Sequence, residues 1–158
     1  MMTPETFPII EGHEPVAASG LVDTSRAVRL RNAKGVLIVV HYHANSNTNT
    51  TLTVHQGVTK ALAEAGGTPI SHLFPIWDVE NGETTDVAAR HANAASYLID
   101  ADVMTHGLVM MYIDASILTG GADWVHLGSD TGGTGLISVL YILDGYRYQQ
   151  AIPLTEIA

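Results

Sequence analysis

Two histidines stand two residues apart at the end of an apolar run, GVLIVVHYH (35–43). Along a strand, residues i and i+2 share a face, so His41 and His43 present two imidazoles to one side. Paired imidazoles are the first half of a zinc or iron site, which needs at least a third ligand to close it. His55, on the next strand-like run, TLTVHQ (51–56), supplies one if the two runs form a hairpin. The chemistry this predicts is that of a metal-dependent enzyme or small-ligand-binding protein using His41/His43. The plainer reading makes both residues partly exposed strand positions at the mouth of a loop, with no metal and no cofactor.

Other patterns carry less chemistry. The glycine-rich SDTGGTG (129–135) lacks the Gly-x4-Gly-Lys-Ser/Thr order and any lysine, so it is read as turn chemistry and not as a phosphate cradle. Asp100 and Asp102 begin like a calcium loop, but Met104 and Thr105 follow, without the alternating acids and closing Glu of an EF-hand. No Gly-x-Ser-x-Gly elbow is present. Trp77 and Trp124 suit a sugar-stacking role, a third reading, although strand tryptophans more often belong to a core or an interface. No catalytic, cofactor-binding or metal-binding residue is assigned, and the chain is read as not an enzyme. The His-x-His segment also resembles the opening of the cupin motif, a glycine followed by five residues and the histidine pair. A cupin then expects a Glu shortly beyond the second His, where this chain has Asn47 and Thr48, and its second motif is not recognisable downstream.

Strands must position these residues. In GLISVLYIL (135–143), Leu136, Leu140 and Ile142 fall on one side of the pleat, and Ile137, Val139, Tyr141 and Leu143 fall on the other. Asp144-Gly145 follows, then YRYQQAI (146–152), which predicts a terminal β-hairpin on a type I′ turn. The polar run ANSNTNTT (44–51) joins the strand 35–43 to the run 51–56 as an early hairpin. VTKALAEAGG (58–67) is a short, uncapped helix or a bent strand. SHLFPIWDV (71–79) is strand-like, with Pro75 confining it to an edge or bulge. The runs 95–100, 107–113 and 122–128 complete roughly seven to nine strands, the spacing of an all-β, antiparallel, jelly-roll-like β-sandwich. Residues 26–158 are read as this single β-sandwich domain. Residues 1–25 are read as an extended N-terminal arm, either a disordered tail or an arm that lays Phe7, Ile9 and Ile10 against a neighbouring subunit.

The chain has 158 residues, 46% of them hydrophobic and only 15% charged, with 16 acidic against 7 basic side chains and a formal net charge of −9. Such a charge repels phosphate backbones and anionic membranes. Arg26, Arg29, Arg31 and Lys34 concentrate the positive charge, but without interleaved aromatics they read as a strand with an exposed charged face, or one that pairs with an acidic partner. Cysteine is absent, so disulfides and thiolate metal sites are excluded. The first residues, MMTPETFPIIEGHEP, carry acids and no basic n-region or long apolar h-region, which predicts no signal peptide. No run approaches the ~18 apolar residues that span a bilayer.

Apolar residues on both sides of the pleat recur in 35–40 and 107–113 as well as 135–143, and a strand of that kind needs cover on each face. Each large side chain left in water forfeits about 1.5–3 kcal/mol of transfer free energy. The expectation is a component of an assembly, sealed by sister subunits.

The stretch ADWVHLGSDTGGTGLISVLYILDGYRYQQAIP (122–153), with PIWDV (75–79) and YIDASIL (112–118), resembles the tailed-phage and prophage capsid decoration, or cement, protein family. The resemblance covers roughly residues 25 to 155. It implies a structural virion protein that binds the outer surface of a phage head as a homodimer or homotrimer and clamps neighbouring capsomers. Its partners are then the major capsid protein and itself, with no nucleic acid, no membrane and no cofactor. Its place is the capsid exterior, after synthesis in the host cytoplasm.

Overall fold

The computed structural model describes residues 7–18, 26–44, 48–80, 87–130 and 135–146. They form eleven strands, one short α-helix and one 3-10 turn (Ala115–Ile117): β1 (Ile9–Ala17), β2 (Val28–Arg29), β3 (Ala33–His43), β4 (Thr50–Gly57), α1 (Lys60–Glu64), β5 (Thr68–Pro69), β6 (Ile76–Glu80), β7 (Ala89–Arg90), β8 (Ser96–Ile99), β9 (His106–Asp114), β10 (Trp124–Ser129) and β11 (Leu136–Tyr146). The large sheet has the order β1-β11-β3-β9-β6-β7, and the small sheet has the order β2-β10-β4-β5 with β8 also on β4. Every pairing between these strands is antiparallel, and the two sheets pack on each other as an all-β sandwich.

The core follows from the period of two. Val36, Ile38, Val40 and Tyr42 of β3, Val109, Met111 and Ile113 of β9, and Ile137, Val139, Tyr141 and Leu143 of β11 all turn inward and are buried. Leu52 and Val54 of β4 and Val125 and Leu127 of β10 meet them from the small sheet. The two sides predicted for the strand 135–143 are therefore the observed ones: its odd positions are core, while Leu136 and Leu140 stay 45% and 42% exposed.

Three expectations are corrected by the topology. Asp144-Gly145 is not a hairpin turn. Gly145 does take a left-handed φ of +52°, but β11 keeps one register with β3 from Leu136 opposite His43 to Tyr146 opposite Ala33. The ladder to β3 continues through the dipeptide, and the Asp144 carboxylate is held by the Tyr112 hydroxyl at 2.8 Å, so local turn propensity yields to cross-strand pairing. The returning arm expected from Arg147 onward lies outside the described residues.

The early hairpin is likewise absent. β3 is flanked on both sides by β11 and β9, which leaves no edge for β4, so the connection after β3 crosses to the other sheet. Part of the segment expected to be an arm is a strand of the chain's own large sheet. β1 pairs with β11, with irregularities between Glu11 and His13 and between His13 and Val16, and Ile10 is buried in the chain's own core while Ile9 faces out. Residues 1–6 and 19–25 lie outside the described residues.

The helix α1 forms where expected and is capped: the Thr59 side chain accepts from the Leu62 N–H at 3.2 Å. Pro75 sits immediately before β6, where its carbonyl accepts from Tyr112 N–H at 3.1 Å and no donor is missed.

Candidate functional site

The outer face of the large sheet is built by the positions that alternate with the core. Cross-strand register arranges them in rows. One row runs Ile9, Ile142, Leu37, Tyr112; the next runs Glu11, Leu140, Val39, Met110, Trp77, Arg90; a third runs Ser138, His41, Leu108, Val79. Across the four inner strands these three rows contain no charged residue of the Asp, Glu, Lys or Arg type. Ile9, Leu108, Leu136 and Leu140 are 37–56% exposed, and Leu37, Val39, Met110, Trp77, Val79 and Ile142 are partly exposed. A contiguous, uncharged apolar sheet face of this size is the usual mark of an interaction site.

Charge sits at the borders of this face. Glu11 lies on the β1 edge and Arg90 on the β7 edge, at the two ends of the middle row. The Arg90 guanidinium stacks over the Trp77 ring at 4.9 Å, which fixes it above the sheet. One row beyond the apolar patch lie Leu136, His43 and His106 on one side, and Asp144 and Asp114 on the other.

The histidines of the alternative, metal-binding reading are dispersed. His41 and His43 are exposed on the outer face of the large sheet, and His55 lies on β4 of the small sheet, opposite His126. His55 cannot join the other two because the core layer stands between them. Among the described residues, no group of three or more His, Asp or Glu side chains is placed to hold a metal ion. His55 and His126 form a cross-strand pair with ring centroids 5.6 Å apart, and burial pushes His55 below the usual histidine range.

The two tryptophans are also apart. Trp77 lies under Arg90, and Trp124 is 9% exposed, packed with Ala27 and Ala63 beneath Arg29. Arg29 in turn pairs with Asp123 at 2.9 Å and Arg26 approaches Glu11 at 3.9 Å, so part of the basic cluster faces acids. Asp100 makes a local corner, accepting from Asp102 N–H at 3.1 Å.

One polar cluster was not anticipated. Asp78 turns inward from β6 and is 2% exposed; its Oδ2 accepts from the Tyr97 hydroxyl and lies 2.8 Å from His91 Nε2. The rings of His91 and Tyr97 meet edge to face at 5.3 Å. Burial, then the hydrogen bond to Asp78, pushes the Tyr97 phenol well above its usual value. The signal was present in IWDV (76–79): an acid two residues after an inward-facing isoleucine takes a core position, where a charge must be paired. Separately, α1 and the loop around Thr119 border a cleft of about 490 Å³ lined by Val58, Leu62 and Ala122 and floored by Gln56. Gln56 exchanges two hydrogen bonds with Thr119, at 2.7 and 2.9 Å, so its amide is spent on holding that loop.

No family model and no curated protein sequence matches the chain. Among solved structures, the crystal structure of SPBc2 prophage-derived protein YomS is similar to it, with a TM-score of 0.48 and 13% sequence identity over 87% of this chain and 91% of that chain.

Proposed function

We propose that this chain is a structural virion protein that binds the outer surface of a phage head as a homo-oligomer and stabilises contacts between capsomers, working by joining surfaces and not by transforming a substrate. The observation that carries the reading is the uncharged apolar face of the large sheet on a chain of net charge −9. Charge keeps the rest of the surface soluble and away from nucleic acid, while this face gains from being covered. The resemblance of the runs 75–79, 112–118 and 122–153 to decoration proteins favours the same assignment. Symmetric, multivalent attachment to a shell turns modest single contacts into tight overall binding through effective concentration.

The test uses expanded heads assembled without the protein. Purified protein added back is expected to bind in a fixed ratio to the major capsid protein and to raise the temperature at which heads rupture. Heads that take up no copies and are equally heat-resistant with and without it would contradict the proposal.

A further inference from the structure

We infer that the apolar face of the large sheet is where two copies of this chain meet, sheet against sheet, about a twofold axis that runs parallel to the strands between β3 and β9, with Glu11 of each copy facing Arg90 of the other. This deepens the assembly reading and rests on it, by naming the surface, the symmetry and the pair that sets the register.

A second copy is the occupant because the face complements itself. In the middle row the order is acid, four apolar residues, base: Glu11, Leu140, Val39, Met110, Trp77, Arg90. Rotation about an axis along the strands reverses the order of strands, so β1 of one copy lies over β7 of the other. It thereby places the Glu11 carboxylate, which lies 3.9 Å from Arg26 of its own chain, opposite Arg90 of the partner twice. Rotation about the axis across the strands lays β1 over β1 and β7 over β7, which sets Glu11 against Glu11 and Arg90 against Arg90. In this arrangement the rim formed by Asp144 and Asp114 faces the partner's own rim, an unfavourable contact that lies one row outside the patch, where water screens it.

Two further features agree. Two chains of net charge −9 repel, and on this face their approach brings no acid over the central apolar rows. The fourteen positions of the three rows, on strands about 4.8 Å apart and at a rise of about 3.3 Å per residue, project to roughly 450 Å². Two such faces bring about 900 Å² together before side-chain relief is counted, close to the size at which specific interfaces begin. The Arg90 guanidinium is already braced, by Trp77 beneath it and by bonds to the His91 carbonyl and Asn93 Oδ1, so little side-chain freedom remains to be lost on pairing.

Cross-linking reads the geometry directly, because the chain has no cysteine. Glu11→Cys and Arg90→Cys are made singly and together, and treated with a bis-maleimide reaching about 10 Å, the spacing of packed sheets. The double variant is expected to give a covalent dimer, as is a mixture of the two single variants, and each single variant alone is expected to stay uncoupled. Arg90→Lys provides a second readout that keeps the charge: a zero-length carboxyl–amine coupling should join residue 11 of one copy to residue 90 of the other. Charge reversal at either site, Glu11→Arg or Arg90→Glu, should weaken the dimer about three- to tenfold, and the two together should restore it. Coupling of Glu11→Cys to itself, or a folded dimer that couples in none of these ways, overturns the geometry while leaving the assembly reading standing. A wild-type protein that sediments as a single chain overturns both.

Discussion

The Leu127 backbone N–H donates to the Tyr141 hydroxyl at 3.0 Å, a bond that runs from β10 of the small sheet to β11 of the large one. Tyr141 is fully buried, and its phenol is pushed well above the ordinary range, chiefly by that burial. The bond supplies an amide with a partner inside the sandwich and stitches the two layers at one point. Tyr141→Phe leaves the ring and removes the acceptor, so it should cost about 1–3 kcal/mol. For a domain of this size that is a fall in Tm of about 2–4 °C per kcal/mol, read by differential scanning calorimetry.

Tyr42 offers the opposite case. Its hydroxyl is buried with no hydrogen-bond partner among the described residues, and its ring lies against Gly135. Tyr42→Phe should therefore be neutral or stabilising by up to about 1 kcal/mol in the same measurement, since it removes a polar group that burial disfavours.

The Asp78 cluster predicts a large loss. Asp78→Ala leaves the Tyr97 hydroxyl without its acceptor, removes the carboxylate 2.8 Å from His91 Nε2 and opens a hole at a position that is 2% exposed, and about 2–4 kcal/mol of stability should go with it. Tyr97→Phe should cost less, about 1–2 kcal/mol, because it strips one of the two groups from the carboxylate. A denaturation series in urea separates the two effects.

Stability should fall at both ends of the pH scale, for reasons of opposite sign. Tyr97, Tyr112 and Tyr141 all have phenols raised by burial, so the unfolded chain releases those protons first. Their contribution is complete below about pH 10, the unfolded value, and is lost as pH rises through the folded values. His55 is lowered by burial, so the unfolded chain takes up its proton first as pH falls below about 6.5, and that contribution is lost on the acid side. His55→Gln should flatten the slope of stability between about pH 5 and 7 and leave the alkaline slope unchanged.

Gly107 tests the packing of the large sheet. A Cβ there would stand 2.2 Å from the Val79 carbonyl oxygen, which is backbone and cannot swing aside. Gly107→Ala should cost about 1–3 kcal/mol by forcing β9 and β6 apart, seen as a lower urea midpoint at unchanged slope.

Much of the sandwich was legible because its strands obey one rule. In β3, β9 and β11 the inward residues Val36 to Tyr42, Val109 to Ile113 and Ile137 to Leu143 alternate with a second apolar set, and that double pattern pointed to strands needing cover on both faces. What the pattern could not carry was pairing. Asp144-Gly145 has ideal turn chemistry, but the strand partner offered by β3 continues past it. His41, His43 and His55 are near in sequence, but β3 has both edges occupied, so β4 goes to the other layer. Asp78 and His91 meet only once β6 and the segment after β7 are in place, a long-range event with no local trace beyond an acid at an inward position.

If a second copy seals the apolar face of the large sheet, as proposed, the mass of the protein in solution must show it. Sedimentation equilibrium of the wild type and Leu140→Glu across a dilution series from about 50 μM to 50 nM tests it most directly. The wild type should show a mass of at least two chains through the micromolar range, and Leu140→Glu a folded single chain. A wild type that persists as a compact single chain at every concentration, with the same mass as Leu140→Glu, would contradict it.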